Sequence, residues 1–409
     1  MDYEIRPITV EEYPTFARTV GSVFGETVSD EEVAEWFKST DVTRTVAVFD
    51  EGAIVGTTDS IAFQFTVPGL QTLPVAGVTA VSVLPTHRRQ GLLTAMMRYQ
   101  LDDVRKRGEP LAILLASESV IYGRFGYGLA TTQGHFEVEP RYASFATHPE
   151  QCGRLRIIDK TAAAAILPGV YDRYRLSQPG AVSRSGPWWD RHISDPVRNH
   201  RGASERNHVI YENDSGQVDG YASYRIKDNW AHGFPQNTLI LTQLIAANPE
   251  AHNALWRFCL GVDLVGTLDA RNFPIEEPLR WMLKDPRRLR LVDSIDFLWV
   301  RLVDISSGLA GRHYATEGRI VFEVEDGFCP ENSGRYVLEG GPDGATCGRS
   351  DATADLTLRI ADLGATYLGG VGLTTLARAR RVTEHTPGAL RRADAMFACD
   401  PPAWCCTDF

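Results

Sequence analysis

Cysteine is scarce and poorly placed for pairing: the seven in 409 residues are Cys152, Cys259, Cys329, Cys347, Cys399, Cys405 and Cys406. No two share a Cys-x-x-Cys spacing and the count is odd, so free thiols are expected rather than a disulfide framework, and no metal site is expected. No apolar run approaches the length that crosses a bilayer, and the opening Met1-Asp-Tyr-Glu-Ile-Arg is charged with no apolar stretch. Neither an anchor nor a secretory leader is therefore expected, and the expected location is the cytoplasm, with no membrane partner. Positive charge is in deficit: 42 Lys and Arg against 52 Asp and Glu give a formal net charge of −10. That balance argues against a nucleic-acid partner, which favours a basic footprint, and it suits cationic small molecules, which an acidic cleft concentrates. The Gly-Lys-Ser/Thr of a nucleotide-triphosphate loop is missing from the candidate phosphate turn, and so is the glycine run of a dinucleotide fingerprint. No short internal repeat or low-complexity tract stands out.

With 43% hydrophobic and 23% charged residues, the composition is that of a globular protein. The chain is too long for one ordinary core, so two or three domains are expected. The most informative stretch is Val81-Ser-Val-Leu-Pro-Thr-His-Arg-Arg-Gln-Gly-Leu-Leu93. An apolar strand, Val78 to Leu84, meets Pro85; a basic turn Arg88-Arg89-Gln90-Gly91 follows; a helical pattern then runs from Leu92 to about Arg107. Strand, glycine turn and helix make an anion site, because first-turn N–H groups lack intrahelical partners and sit at the positive end of the macrodipole. Arg88 and Arg89 add charge, and Gly91 removes the Cβ that would keep a phosphate from the backbone. Next, Leu111-Ala-Ile-Leu-Leu-Ala-Ser-Glu118 reads as a buried strand. Ser119-Val-Ile-Tyr122-Gly-Arg-Phe-Gly-Tyr127-Gly128 follows it, with two tyrosines.

The Arg88-x-x-Gly91-x-Leu93 spacing resembles the pyrophosphate loop of the GNAT superfamily of N-acetyltransferases, Leu93 departing from a small residue in the last position. The stretch Ala116-Ser-Glu…Ile121-Tyr-Gly-Arg-Phe-Gly-Tyr-Gly128 narrows the resemblance to the Eis-type (enhanced intracellular survival) acetyltransferases. It implies acetyl-CoA as co-substrate. The backbone of Val81, Ser82 and Val83 would pair with the pantetheine arm, the amides of Arg88, Arg89, Gln90, Gly91, Leu92 and Leu93 would hold the pyrophosphate, and Ser117 would join the cofactor site. It also points to Tyr122 as the acid that protonates the CoA thiolate; Tyr127 is expected to be a packing aromatic. The chain ends Thr407-Asp-Phe409. Eis-type enzymes end in a phenylalanine whose α-carboxylate serves as base or anchors one, so Phe409 becomes the second catalytic candidate. Phe24, Glu26 and Trp36 fall at the spacing of the family's acceptor pocket, and Asp408 joins them. Glu26 stands where the family has an aspartate, and Asp408 where it has a glutamate.

The resemblance extends to architecture, a mixed α/β (α+β) fold. Two tandem GNAT-like domains are expected at residues 1–145 and 146–300, and a sterol-carrier-protein-like domain at 301–409. In the first, Thr9-Val-Glu-Glu12 and Ser29 with Glu32 read as capping boxes. Val46–Phe49 and Ile54–Gln64 read as a hairpin around Asp50-Glu-Gly52, and Thr131–Val138 as the strand that closes the domain. A linker is expected between Arg141 and Cys152. In the second, Thr161–Leu167 and Val170–Arg175 are helical, Val218–Arg225 and Thr238–Ala247 are strands, and Asn248-Pro249 caps a helix. This strand–Pro–helix lacks an Arg-x-x-Gly turn, and so lacks phosphate chemistry. Trp188-Trp189 are expected in a loop, either packing or lining the acceptor pocket. The third domain is expected to return Phe409 to the first. The implied activity is direct acetyl transfer to a primary amine of a cationic small molecule, an aminoglycoside, a polyamine or a related amine. The alternatives are a protein lysine as acceptor, or a non-catalytic acyl-CoA or lipid carrier. A homo-oligomer, a hexamer built from trimers, is implied by resemblance alone.

Overall fold

Alternation of side chains builds the first sheet. β1 (Glu4–Pro7), β2 (Val46–Asp50), β3 (Ala53–Thr66), β4 (Thr72–Val83) and β5 (Leu111–Leu115) lie side by side in that order. The computed structural model describes residues 3–147 and 153–409, so Cys152 and the end of the expected 141–152 linker fall outside the described residues. β1 to β4 are antiparallel neighbours, while β4 and β5 are parallel. The β2–β3 turn places Glu51 at φ 48° and Gly52 at φ 84°. Two left-handed residues in succession match the twist of a tight hairpin.

Helices α1 (Tyr13–Phe24) and α2 (Asp30–Phe37) and, later, α3 (Leu92–Lys106) cover opposite faces. Ala47 and Phe49 of β2 pack with Tyr13, Phe16 and Val33, whereas Val48 between them packs with Met96. The period-two pattern of a strand buried on both faces dictates this division. The box at α2 forms in full: Glu32 N–H donates to Ser29 Oγ at 3.2 Å and Ser29 N–H to Glu32 Oε2 at 2.9 Å. The box expected at Thr9 forms by half. Thr9 N–H donates to Glu12 Oε2 at 2.8 Å, but Glu12 is itself the cap residue, and Arg6 takes up its carboxylate at 2.7 Å.

Beyond β5 the strand order no longer follows the chain. Leu298–Leu302 inserts antiparallel between β5 and β6 (Gly128–Leu129). The strand expected to close the first domain, Thr132–Val138, instead runs antiparallel to Val265–Phe273 in a second sheet. Local alternation marks Thr132–Val138 as half-buried, but it does not choose the partner. The chain accordingly divides into two compact units, residues 1–131 with 296–409 and residues 132–295.

The second unit carries a seven-stranded sheet that includes the expected strands at Val218–Lys227 and Asn237–Ala246. Helix Pro249–Leu260 starts as expected, with Ala251 N–H donating to Asn248 Oδ1 at 2.9 Å. Trp188 and Trp189 are not in a loop. They lie in helix Gly186–Ser194, where Ser185 caps the first turn and Pro187 suits it. With Tyr171 they surround the Arg184 guanidinium at 3.7–5.2 Å, a packing role.

The C-terminal region belongs to the first unit. Its five-stranded sheet runs Gly344–Arg349, Gly334–Gly341, Gly318–Glu325, Leu356–Arg359, Val382–Glu384. Helix Ile360–Thr366 presses onto the inserted edge of the first sheet. A Cβ at Gly128 would lie 1.9 Å from the Ala361 carbonyl oxygen, and one at Gly364 would lie 2.3 Å from that of Val300. Only glycine permits backbone to meet backbone this closely. The fully buried Arg301 and Asp326 lock the same junction at 2.5 Å.

The last residues are held rather than frayed. Trp404, Cys405, Cys406 and Thr407 are buried, and the Phe409 ring packs edge-on against Phe63 with centroids 5.1 Å apart. Gly77 of β4 leaves the room: a Cβ there would lie 2.3 Å from the Phe63 ring and 3.2 Å from that of Phe409.

Candidate active site

β4 and β5 pair only from Val75 with Leu111 to Val78 with Leu114, although β4 continues to Val83. The cause lies in β4. Thr79 pairs with Asp59 and Ser82 with Thr57, so β4 spends one residue more than β3 over this interval. Ala80 absorbs it in the left-handed region at φ 53°. Such a bulge bends and twists its strand, and here it takes β4 away from β5. Thr57 secures it: its hydroxyl donates to the Ala80 carbonyl at 2.8 Å and lies 2.6 Å from Ser82 Oγ.

The divergence exposes polar backbone. Leu84 N–H donates to Val55 O in β3 at 2.9 Å. Amide and carbonyl direction alternates along a strand, so Ser82 faces β3, while Val81 and Val83 face away, toward the side β5 has left. Val83 O accordingly accepts from Arg88 Nε at 3.3 Å rather than from a strand. Main-chain groups of this kind must find a partner, and an extended ligand can supply it.

After β4 the chain turns through Pro85–His87, and Gly91 opens α3 at φ 84°. A Cβ at Gly91 would meet nothing within 4 Å, so the residue serves both the turn and open access to the helix end. Arg89 also sits at positive φ, 63°. For a non-glycine residue that conformation costs about 1 kcal/mol or more, as strained loops at binding sites often do.

A cavity of about 600 Å³ lies over this helix end, a size ordinary for a cofactor site. It is lined by Val81, Ser82 and Val83 of β4, by Arg88, Arg89 and Gly91 of the turn, and by Leu92 and Leu93 of α3. Ser117 and Tyr122 line it from beyond β5, and Phe24 from the end of α1. Gln90 does not line it. Its side chain turns outward, with Oε1 accepting from the Tyr3 hydroxyl at 2.6 Å. The sequence reading passed over Val23, His87, Thr94, Glu118, Ile121 and Arg124, which also line the cavity. Arg124 stood inside the Ile121–Gly128 stretch as a third cation, and its charge was the available signal. Leu92, by contrast, is mostly spent on the core beside Val48, Val55 and Met96.

Tyr122 is the last residue of helix α4 (Ser119–Tyr122) and is 6% exposed. Burial pushes its phenol up to about 12. No hydrogen bond among the described residues takes up its hydroxyl. Tyr127 stands edge-on behind it, centroids 6.0 Å apart, fully buried, and is a packing residue.

Of the four acceptor candidates, Phe24 alone lines the cavity, half-exposed at 51%. Glu26 is exposed, its N–H donating to Gly21 O at 2.8 Å in the turn that ends α1. Trp36 is partly buried against the Tyr13–Phe16 core under α2. Asp408 is exposed next to Phe409. The cofactor candidates other than Gln90 thus meet in one cavity, whereas Glu26, Trp36, Asp408 and Phe409 lie outside its lining. Among the described residues, no group of three or more His, Cys, Asp or Glu side chains could hold a metal ion. No helix among them is long and apolar enough to cross a membrane.

Comparison with known proteins agrees along the whole length. Residues 4–130 and 180–302 each match an Acetyltransferase (GNAT) domain family, and residues 306–406 match a Sterol carrier protein domain family. An uncharacterized N-acetyltransferase of Streptomyces avermitilis is 42% identical over 407 residues, 99% of each chain. The N-acetyltransferase Eis of Mycobacterium tuberculosis is 32% identical over 412 residues, 98% of each. The crystal structure of Eis1 from Mycobacterium abscessus superimposes with a TM-score of 0.88 at 32% identity, covering 99% of this chain and 100% of that one.

Proposed function

Since the chain belongs to the Eis-type N-acetyltransferases of the GNAT superfamily and is an acetyl-CoA-dependent acyltransferase, we propose that it transfers the acetyl group directly to a primary amine of a cationic small molecule, such as an aminoglycoside or a polyamine. One observation carries the reading: the unpaired edge of β4, the amides opening α3 and the Tyr122 phenol line a single cavity.

The residues present fit acetyl-CoA. The amides from Arg88 to Leu93, with the Arg88 and Arg89 guanidiniums, hold the diphosphate at a helix end that no Cβ obstructs. Val81 and Val83 pair with the amide-bearing arm, and Ser117 closes the cavity wall opposite. The Val83 N–H stabilises the thioester oxygen as charge develops on it. The co-substrate supplies an activated acetyl group, so no nucleophilic serine or cysteine is required.

The acceptor nitrogen bonds to the acetyl carbon as the carbon–sulfur bond breaks. Tyr122 delivers its proton to the departing sulfur. A phenol lifted to about 12 stays protonated at neutral pH, and the same dry surroundings disfavour the thiolate that must accept the proton. The proton lost by the amine goes to the Phe409 α-carboxylate, directly or through water. Docking of its ring on Phe63 and Gly77 gives that carboxylate a fixed place on the first sheet. Glu26 and Asp408 draw the remaining ammonium groups of the acceptor, and Phe24 and Trp36 cover its carbon skeleton.

The test is a panel of amines (an aminoglycoside, spermidine, an arylalkylamine and a lysine peptide) supplied with acetyl-CoA, with released CoA read by a thiol reagent. Release that depends on a cationic small amine and exceeds that with the peptide is expected. Release with the peptide alone would move the acceptor to protein lysine, and no release with any amine would remove the transferase chemistry from this cavity.

A further inference from the structure

Two contacts from outside the cavity hold the phosphate-binding turn, and none of the chemistry above uses them. From the β2–β3 hairpin, Asp50 Oδ2 lies 3.1 Å from His87 Nε2, and His87 Nδ1 lies 2.8 Å from Thr86 Oγ1. A carboxylate only accepts, so Nε2 carries the proton, and in the neutral ring Nδ1 accepts from the Thr86 hydroxyl. From the N-terminal side, the Tyr3 hydroxyl donates to Gln90 Oε1 at 2.6 Å, and the Tyr3 ring meets that of His87 edge-on with centroids 6.3 Å apart. Gln90 Nε2 turns back to the Thr86 carbonyl at 3.4 Å, joining the two contacts. Between these anchors lie Arg88 and Arg89, with Arg89 at φ 63°. A non-glycine residue does not hold that conformation by its own preference, so its surroundings must. Neither Tyr3 nor Asp50 is among the residues that line the cavity.

We infer that Tyr3 and Asp50 are positioning residues for coenzyme A: acting through Gln90 and His87, they clamp both flanks of Arg88–Arg89 and keep the amides ahead of α3 aimed at a diphosphate before it arrives. This rests on the acetyl-CoA reading of the cavity. A turn fixed in its binding shape loses little freedom on binding, which is how a residue without ligand contact raises affinity. The clamp acts only on the diphosphate end. The pantetheine end is set by β4, which Thr57 fixes independently.

Steady-state kinetics with acetyl-CoA and with S-acetylpantetheine, which has the arm and no diphosphate, test this on the full chain. Calorimetry with CoA accompanies them, for the wild type, Tyr3→Phe, Asp50→Ala and the double variant. Each single change is expected to raise the KM for acetyl-CoA and the Kd for CoA about fivefold, and the pair about twenty-fold, the scale of one and two hydrogen bonds. The kcat at saturation and the kcat/KM for S-acetylpantetheine should stay within about twofold, because chemistry and arm binding are untouched. In a Tyr3→Phe background, Gln90→Ala should add less than it does in the wild type, since only its long contact to the Thr86 carbonyl is then left to lose. Wild type that binds CoA alongside variants that bind it equally well would overturn the clamp and leave the cavity's reading intact. An equal loss with S-acetylpantetheine would also overturn it, since the defect would then be general. Wild type that binds no CoA would bring down the underlying reading itself. Should Asp50→Ala fail to fold, Tyr3→Phe, which deletes one hydroxyl, carries the same comparison.

Discussion

Environment, more than residue type, separates the side chains that matter from their look-alikes. Tyr122 and Tyr127 are five positions apart, both aromatic and both buried, yet only Tyr122 reaches the cavity. Tyr122→Phe should lower kcat by roughly a hundredfold while leaving the Kd for CoA nearly unchanged. Unchanged turnover would strip Tyr122 of the acid role. A second residue was invisible in sequence. Asp59 follows the β3 interval opposite the bulge, and burial lifts its carboxyl to about 6, against the Thr45 hydroxyl and Ser60 N–H that favour its charged form. Between 3.8 and about 6 the folded chain keeps a proton that the unfolded chain has released. The stability that Asp59 contributes is therefore present at acid pH and lost as pH rises through about 6. Asp59→Asn should melt a few degrees above the wild type at pH 8, reflecting at most about 2–3 kcal/mol, with the gap closing at pH 4. An identical difference at both pH values would contradict the burial argument. Arg88, Arg89 and Gly91 were legible as one wall of the cavity because the turn that carries them is written in consecutive residues. Arg124 was missed because its charge enters the cavity only after the chain turns at Gly123.

At the scale of elements, most helices and hairpins were readable, helix Gly186–Ser194 being an exception, and their partners were not. Ser29 with Glu32, Asn248-Pro249 and Glu51-Gly52 are short-range signals, and each appears where expected. Leu298–Leu302 is buried at every position, and nothing in four apolar residues and one arginine says that it pairs with β5 across about 180 residues of chain. The bulge in β4 was equally hidden, since Ala80 carries no mark of a left-handed residue. Yet that bulge opens the cleft in which the cavity lies. Gly77 shows how tightly the elements meet around the terminal phenylalanine. Gly77→Ala would place a methyl group 2.3 Å from the Phe63 ring and 3.2 Å from that of Phe409, so one of the rings must move. If the Phe409 carboxylate takes part in the reaction, turnover should drop about tenfold or more, because misplacement of about 1 Å is enough to spoil an aligned group. Adding Phe63→Leu should return part of the loss, with Tm as the check on folding. Full activity in Gly77→Ala would show that the position of Phe409 is indifferent.

At the scale of the whole molecule, the two GNAT domains and the sterol-carrier-like domain form a division of labour. The first carries the Arg-x-x-Gly turn, and the second repeats strand, proline and helix without it. The third contributes no residue to the cavity lining, but it locks onto the first through Gly128, Gly364 and the Arg301–Asp326 pair and brings the chain back to Phe63. This architecture was legible as a resemblance of motifs at Val81–Leu93 and Ala116–Gly128. The lock was not, because it is built from glycines that only a neighbouring backbone makes necessary. Everything functional depends on coenzyme A seating at the start of α3, and isothermal titration calorimetry tests that directly. Wild-type protein should bind CoA with measurable heat, and Arg88→Ala combined with Gly91→Ala should weaken it at least about tenfold through the lost charge and the added Cβ. No heat from the wild type, or the same affinity in the double variant, would contradict the account.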